Sequence, residues 1–208
     1  KAIPFFLLPL LTRYLSPEEY GILSIYQVII SFSDTIIGMR TKSNITRNFF
    51  KHSKEYVAKI VFNMILLLSI SSTIALCIIS LHIYLGGSLF NLPEKWIYSL
   101  PIIAFMNMVN GFNLAILRNR KKALEFGVFE ISRTIINLGV SVLLVVFYMN
   151  GWEGRATGIL ISPSIIGLIS MFRIWQSGFI VFEIDIDKLK KIMTVSFPLM
   201  IHGIGASV

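Results

Sequence analysis

No Asp, Glu, Lys or Arg occurs anywhere between residues 60 and 92. A soluble domain has no core thick enough for so long an apolar run. A helix rising about 1.5 Å per residue crosses a hydrocarbon layer of about 30 Å in roughly 20 residues. Gly86 and Gly87 offer a natural end, and no turn chemistry interrupts the run before them. The sequence therefore predicts one tilted helix over 56–85 rather than two short crossings. Four further stretches have the same character: 21–39, 96–117, a fourth that is uncharged over 134–152 and begins near Phe126, and 156–172. The chain is 55% apolar and only 14% charged, with a mean hydropathy of +0.75. An ordinary soluble domain carries about 25% charged residues. Disorder, coiled coil and a soluble enzyme are poor fits, and the predicted class is an all-α, polytopic transmembrane helix bundle.

Both ends carry incomplete signals. Residues 3–11 are strongly apolar but rise only about 14 Å as a helix, too little for a span. They are expected to be the outer half of a first helix whose start is missing. Residues 192–208 are expected to open a seventh helix, so the chain reads as a piece of a larger, transporter-sized protein.

Basic residues alternate between the connecting segments. Arg40, Lys42, Arg47, Lys51, Lys54 and Lys59 fall in the first group, Arg118, Arg120, Lys121 and Lys122 in the second, and Arg173, Lys188, Lys190 and Lys191 in the third. The opposite side offers only Arg13, Lys95 and Arg155. This bias orients the basic side to the cytoplasm, with the missing N-terminus on the same side. It also accounts for the net charge of +8 through anionic membrane lipids, with no nucleic-acid partner expected.

Turn chemistry agrees. Ser16, Pro17 and Glu19 form a capping-box pattern before Tyr20, and 91–94 offers a similar start before Trp96. Trp96 and Trp152 are expected at the external ends of spans, and Trp175 just beyond an internal one. Residues 183–191 read as a surface linker. The lone Cys77 is expected to be a small buried hydrophobe.

Polar residues within apolar spans are the functional candidates, because an ionised group in lipid needs a cavity or a partner. Asp34 lies deep in the first complete span and offers ion coupling or a structural pair. Glu130 and Arg133 share a helical face, which allows an internal pair. Arg133, Arg40 and Arg118 are candidates for a phosphate, whose oxygens a guanidinium meets in bidentate fashion. Asn107, Asn110 and Asn113 repeat along one helix, with Asn63 and Asn137 in neighbouring spans, to line a wet path or knit helices together. Pro101, Pro163 and Pro198 are expected to bend helices, and His202 is read as a packing residue rather than a proton relay. No P-loop, metal-ligand spacing or nucleophile–base pair appears, so no catalytic residue, metal or cofactor is expected.

The run PFFLLPLLTRYLSPEEYGILSIYQ (4–27) resembles the end of the first helix, the external turn and the second helix of polysaccharide flippases. These belong to the multidrug/oligosaccharidyl-lipid/polysaccharide exporter superfamily. LRNRKKALEFGVFEISRTIINLGVSVLLV (117–145), GWEGRATG (151–158) and FPLMIHGI (197–204) extend the resemblance over nearly the whole chain, with LSPEEYG its most family-like piece. The resemblance implies two six-helix lobes around a central cavity. The N-terminal lobe would occupy 1–175, a cytoplasmic linker 176–191, and the start of the seventh helix 192–208. It also implies translocation of an undecaprenyl-diphosphate-linked oligosaccharide repeat unit from the inner to the outer leaflet of the cytoplasmic membrane, beside a glycan polymerase and chain-length machinery. Rival readings are a cation-coupled multidrug antiporter of the same fold, a membrane glycan polymerase or transferase, and a non-transporting scaffold of the glycan-assembly complex.

Overall fold

The computed structural model describes residues 12–39 and 41–205. Arg40 and the apolar segment 3–11 lie outside the described residues, as does the side chain of His202. The elements are α1 (Pro17–Gly38), α2 (Ser43–Phe49), α3 (Lys54–Tyr84), α4 (Glu94–Asn119), α5 (Ala123–Val142), α6 (Gly151–Gln176) and α7 (Ile186–Gly205). A π-helical turn, Leu143–Phe147, continues α5. No strand occurs among the described residues. Of these helices, α1, α3, α4, α6 and α5 with its π turn are long and apolar enough to cross a membrane.

Lipid replaces water on the outer surface. Ile70, Ile74, Ile78 and Leu81 on α3, and Leu124, Val128, Ile131 and Ile135 on α5, recur at helical spacing and are all exposed. In water such stripes would drive aggregation; in hydrocarbon they cost nothing. Cys77 belongs to this surface: it is exposed rather than sealed among protein neighbours, because an apolar residue on a membrane helix has two apolar environments to choose from.

Inside, α4 is the most enclosed helix and organises the rest. Its α3 side holds the largest cluster, including Val61, Met64, Leu68, Val109 and Phe112. Toward the far end, Tyr26 and Ser99 share a hydrogen bond of 2.7 Å between hydroxyls, and Tyr26 meets Trp96 edge-on with centroids 5.8 Å apart. Trp96 is therefore not a lipid-facing belt residue. It is 6% exposed, and its indole N–H donates to Glu153 at 3.3 Å.

Against α6, the two backbones approach closely at Gly167. A Cβ there would sit 2.9 Å from the Cβ of Met106 and 3.0 Å from its carbonyl oxygen.

Helix starts show how local chemistry fixes the frame. Ser16 Oγ accepts from the Glu19 amide at 3.2 Å, and the Ser16 amide donates to Glu19 Oε2 at 2.9 Å, completing the expected capping box. The other oxygen of Glu19 accepts the Trp152 amide at 3.3 Å, so one carboxylate serves the N-termini of both α1 and α6. Gly151 makes this possible: its φ is +52°, and a Cβ would lie 1.9 Å from Glu19 Oε1. Glu19→Ala is expected to cost about 1–2 kcal/mol, the scale of a lost cap. The detergent-solubilised protein should then melt earlier, with Glu19→Gln falling between the two. Identical melting of Glu19→Ala and the unaltered chain would show that the shared cap contributes nothing.

The 91–94 expectation fails in detail. The N-cap of α4 is Pro93, with no side-chain hydrogen bond, and Phe90 and Asn91 both have positive φ. Segment 40–59 contains α2, which no long periodic pattern announces. The linker also lies earlier than 183–191, at residues 177–185 between α6 and α7. Asp185 accepts the Lys188 amide at 2.9 Å, so the following lysines lie within α7. The Lys188 side chain beside Asp185 holds that carboxyl below the usual carboxylate range. The cap therefore remains charged at neutral pH, and its contribution fades only as pH falls through that depressed value.

Candidate functional site

Three spans bring their polar residues to one place. Asp34 on α1 accepts both contacts of the Asn107 amide on α4, at 3.2 Å to Oδ1 and 3.0 Å to Oδ2. Asn107 Oδ1 in turn accepts from a terminal nitrogen of Arg133 on α5, at 2.6 Å. The asparagine thus relays between acid and base, which make no direct ion pair. Its two-sided amide suits this, since one end donates and the other accepts.

The chain Asp34–Asn107–Arg133 separates two cavities. The first, of about 520 Å³, is also lined by Lys42, Asn110 and Glu130. The second, of about 280 Å³, is also lined by Gln27, Asn137, Arg155 and Pro163. All three members of the chain line both cavities. Lys42 marks the first as facing the basic end, while Arg155, one turn into α6, marks the second as facing the other.

Arg155 is a cavity residue that loop counting misses. Charge alternation assigns it to an external connection, but α6 begins at Gly151 and turns the side chain inward. One terminal nitrogen donates to Asn137 Oδ1 at 2.5 Å and to Ser141 Oγ at 2.8 Å, while its buried Nε has no partner. No carboxylate lies within ion-pair distance of either Arg133 or Arg155 among the described residues. A half-buried guanidinium without an acid retains a demand for anionic or polar oxygens.

The remaining candidates divide. Asn110 lines the larger cavity; its Oδ1 accepts from Ser170 at 2.9 Å, and its buried amide nitrogen is unpartnered. Asn113 donates to the same Ser170 at 3.4 Å and serves helix packing. Asn63 ties α3 to the linker by donating to the Glu183 carbonyl at 2.8 Å and accepting the Asp185 amide at 3.1 Å. Glu130 stands on the cavity wall, but the internal pair with Arg133 does not form, because Arg133 turns to Asn107. Arg118 is exposed in the last turn of α4 and lines neither cavity. Pro163, lacking an N–H, leaves the Ile159 carbonyl without its helical donor, and both residues line the smaller cavity.

Together the walls carry Lys42, Arg133 and Arg155 against Asp34 and Glu130. Such a pair of chambers can exchange the hydration of a polar, anionic group for fixed donors. Among the described residues no cluster of side chains suits a metal ion.

The model of the family described as polysaccharide biosynthesis protein matches residues 1–208. An uncharacterized membrane protein of Haemophilus influenzae is 27% identical over 173 residues, covering 82% of this chain and 40% of its own. The chain thus spans well under half the length of that relative. Among solved structures, a MOP superfamily transporter from Pyrococcus furiosus, reported for the reverse polarity of its binding pocket, superposes with a TM-score of 0.72. It is 19% identical, over 94% of this chain and 47% of its own. An outward-facing multidrug resistance MATE family transporter of the MOP superfamily gives 0.67 at 18% identity, over 94% and 47%. The fold is therefore an all-α membrane bundle matching about half of the transporter fold.

Proposed function

The chain belongs to the polysaccharide biosynthesis protein family and is a multi-pass protein of the inner membrane, and from that premise we propose that it is part of a flippase for lipid-linked oligosaccharides. The cargo is a polyprenyl-diphosphate-linked repeat unit, carried from the inner to the outer leaflet. The observation that carries this reading is the pair of arginines without an acid partner, Arg133 and Arg155, which share the smaller cavity, with Arg133 also lining the larger one. A diphosphate needs multidentate donors to replace water, and guanidinium groups provide them. Moving a polar head through hydrocarbon without such donors costs several kcal/mol for each unsatisfied group.

The positive-inside rule assigns the end bearing Lys42 to the cytoplasm, so the larger cavity receives the head and the smaller one passes it on. Here the chain through α6 belongs to the first lobe, 177–185 is the connection and α7 from Ile186 is the entry to the second. The two lobes rock about the cargo, as alternating access requires. The polyprenyl tail stays in lipid beside the helices, and glycan polymerase and chain-length machinery receive the product.

Asp34 favours a second reading, a cation-coupled multidrug antiporter on the same fold. Transport assays in vesicles separate the two. The intact protein should move a fluorescent polyprenyl-diphosphate oligosaccharide and not an organic cation; the reverse outcome would replace the flippase by the antiporter. Asp34→Asn preserves an acceptor for Asn107 while deleting the charge. It is expected to remove any pH or sodium dependence of transport, and an unchanged dependence would leave Asp34 only its structural bond.

A further inference from the structure

Four cations at the basic end, Lys59, Lys122, Arg173 and Lys188, are answered by carboxylates. Lys59 pairs with Glu55 at 3.2 Å and Glu183 at 2.7 Å, Arg173 with Glu125 at 2.8 Å, Lys122 with the same Glu125, and Lys188 with Asp185. At one corner four cations converge on a single concavity. Arg47 in the last turn of α2, Lys51 just after it, and Lys188 and Lys191 in α7 surround a pocket of about 200 Å³. No Asp or Glu lines it. Arg47, Lys51 and Lys191 have no carboxylate within ion-pair distance among the described residues.

Topology alone does not require this. A basic face meets the positive-inside bias equally well with its cations spread apart, whereas Arg47, Lys51 and Lys191, uncompensated around one concavity, repel each other unless an anion enters. The pocket also has a built floor: the His52 and Tyr56 rings lie 4.2 Å apart, and Lys188 Nζ stands 5.3 Å from the Tyr56 ring centre. Its size is below the roughly 300–1,000 Å³ of sites for drug-sized ligands, too small for an oligosaccharide but suited to a phosphate group. Its walls come from both sides of the linker, and beside it Asn44 donates to Ser196 Oγ at 3.0 Å, joining α2 to α7. It shares no residue with the two cavities around Asp34.

We propose that this pocket binds the phosphate of an anionic phospholipid headgroup from the cytoplasmic leaflet, clasping α7 to the α2–α3 corner. Basic pockets between helices at the cytoplasmic surface are suited to such headgroups. The site takes its orientation from the positive-inside bias and is independent of what the protein transports.

The test places the intact protein in nanodiscs of phosphatidylcholine with added phosphatidylglycerol and counts the lipid retained by native mass spectrometry. Lys51→Gln with Lys191→Gln removes one cation from each wall. Lys121→Gln with Lys190→Gln removes the same charge from exposed positions at the same end, outside the pocket. The unaltered protein and the control should retain phosphatidylglycerol preferentially, with the pocket variant about thirtyfold weaker, the scale for two cations at an anionic surface. Equal loss in both variants, or no preference in the unaltered protein, would overturn the site. Displacement of the lipid by glycerol phosphate at matched concentration would support a phosphate site while overturning the leaflet as its source.

Discussion

Replacing Arg133 by alanine is expected to slow translocation of a polyprenyl-diphosphate oligosaccharide in vesicles by roughly ten- to hundredfold, the range for losing a hydrogen bond to a charged group. Membrane insertion should be unaffected. Among the described residues the Arg133 side chain donates to Asn107 alone, and it lines both cavities, so its other donors are available to a ligand. The Asp34–Asn107 contact survives the substitution, which keeps α1 attached to α4. Arg133→Lys retains charge but loses the planar fork, and should therefore fall between alanine and the native residue. The measurement compares initial rates at matched protein content, with protein melting followed in parallel. Transport by Arg133→Ala at the native rate would remove the substrate role, and a loss matched by early melting would reassign it to packing.

The second large effect concerns packing alone. Gly167→Ala should destabilise the protein by about 1–3 kcal/mol, the cost of overfilling a tight contact. The new methyl group would meet Met106 through its Sδ at 2.8 Å, its Cβ at 2.9 Å and its carbonyl oxygen at 3.0 Å. A thioether swings aside cheaply, but a Cβ and a carbonyl move only with the helix, so α4 and α6 must part. The same substitution at Gly21 meets nothing within 4 Å. There alanine should raise stability by up to about 1 kcal/mol, because glycine is the poorer helix former. Thermal melting in one detergent reads both signs. Equal melting of the two variants would show that the α4–α6 approach is looser than its geometry implies.

Features governed by neighbours in sequence were the readable ones. Ser16 and Glu19 are three residues apart, so the capping box announces α1 directly, and the uncharged run yields α3 as a single helix from Lys54 to Tyr84. The site was readable only as candidates. Asp34 and Asn107 are 73 residues apart, and nothing in their spacing says which helix faces meet. Arg155 escapes a reading from apolar windows for a physical reason: such a window measures hydrophobic length, whereas α6 starts where Gly151 allows a positive φ and Glu19 of another helix supplies a cap. Trp96 and Cys77 exchanged their expected surroundings because amphipathic and apolar side chains fit lipid and protein interior almost equally. Tertiary packing made those choices, with no local signature.

The length of α3 couples the protein to its solvent. Its uncharged part, residues 60–84, rises about 37 Å, more than a hydrocarbon layer of about 30 Å, which such a helix meets with some tilt. A thicker bilayer lets such a rod stand more upright, and a thinner one lays it down. Because Asn63 near its foot grips the backbone of Glu183 and Asp185, a change of lean pulls on the strap that enters α7. Bilayer thickness is therefore expected to bear on the joint between these helices and α7 through the Asn63 contacts.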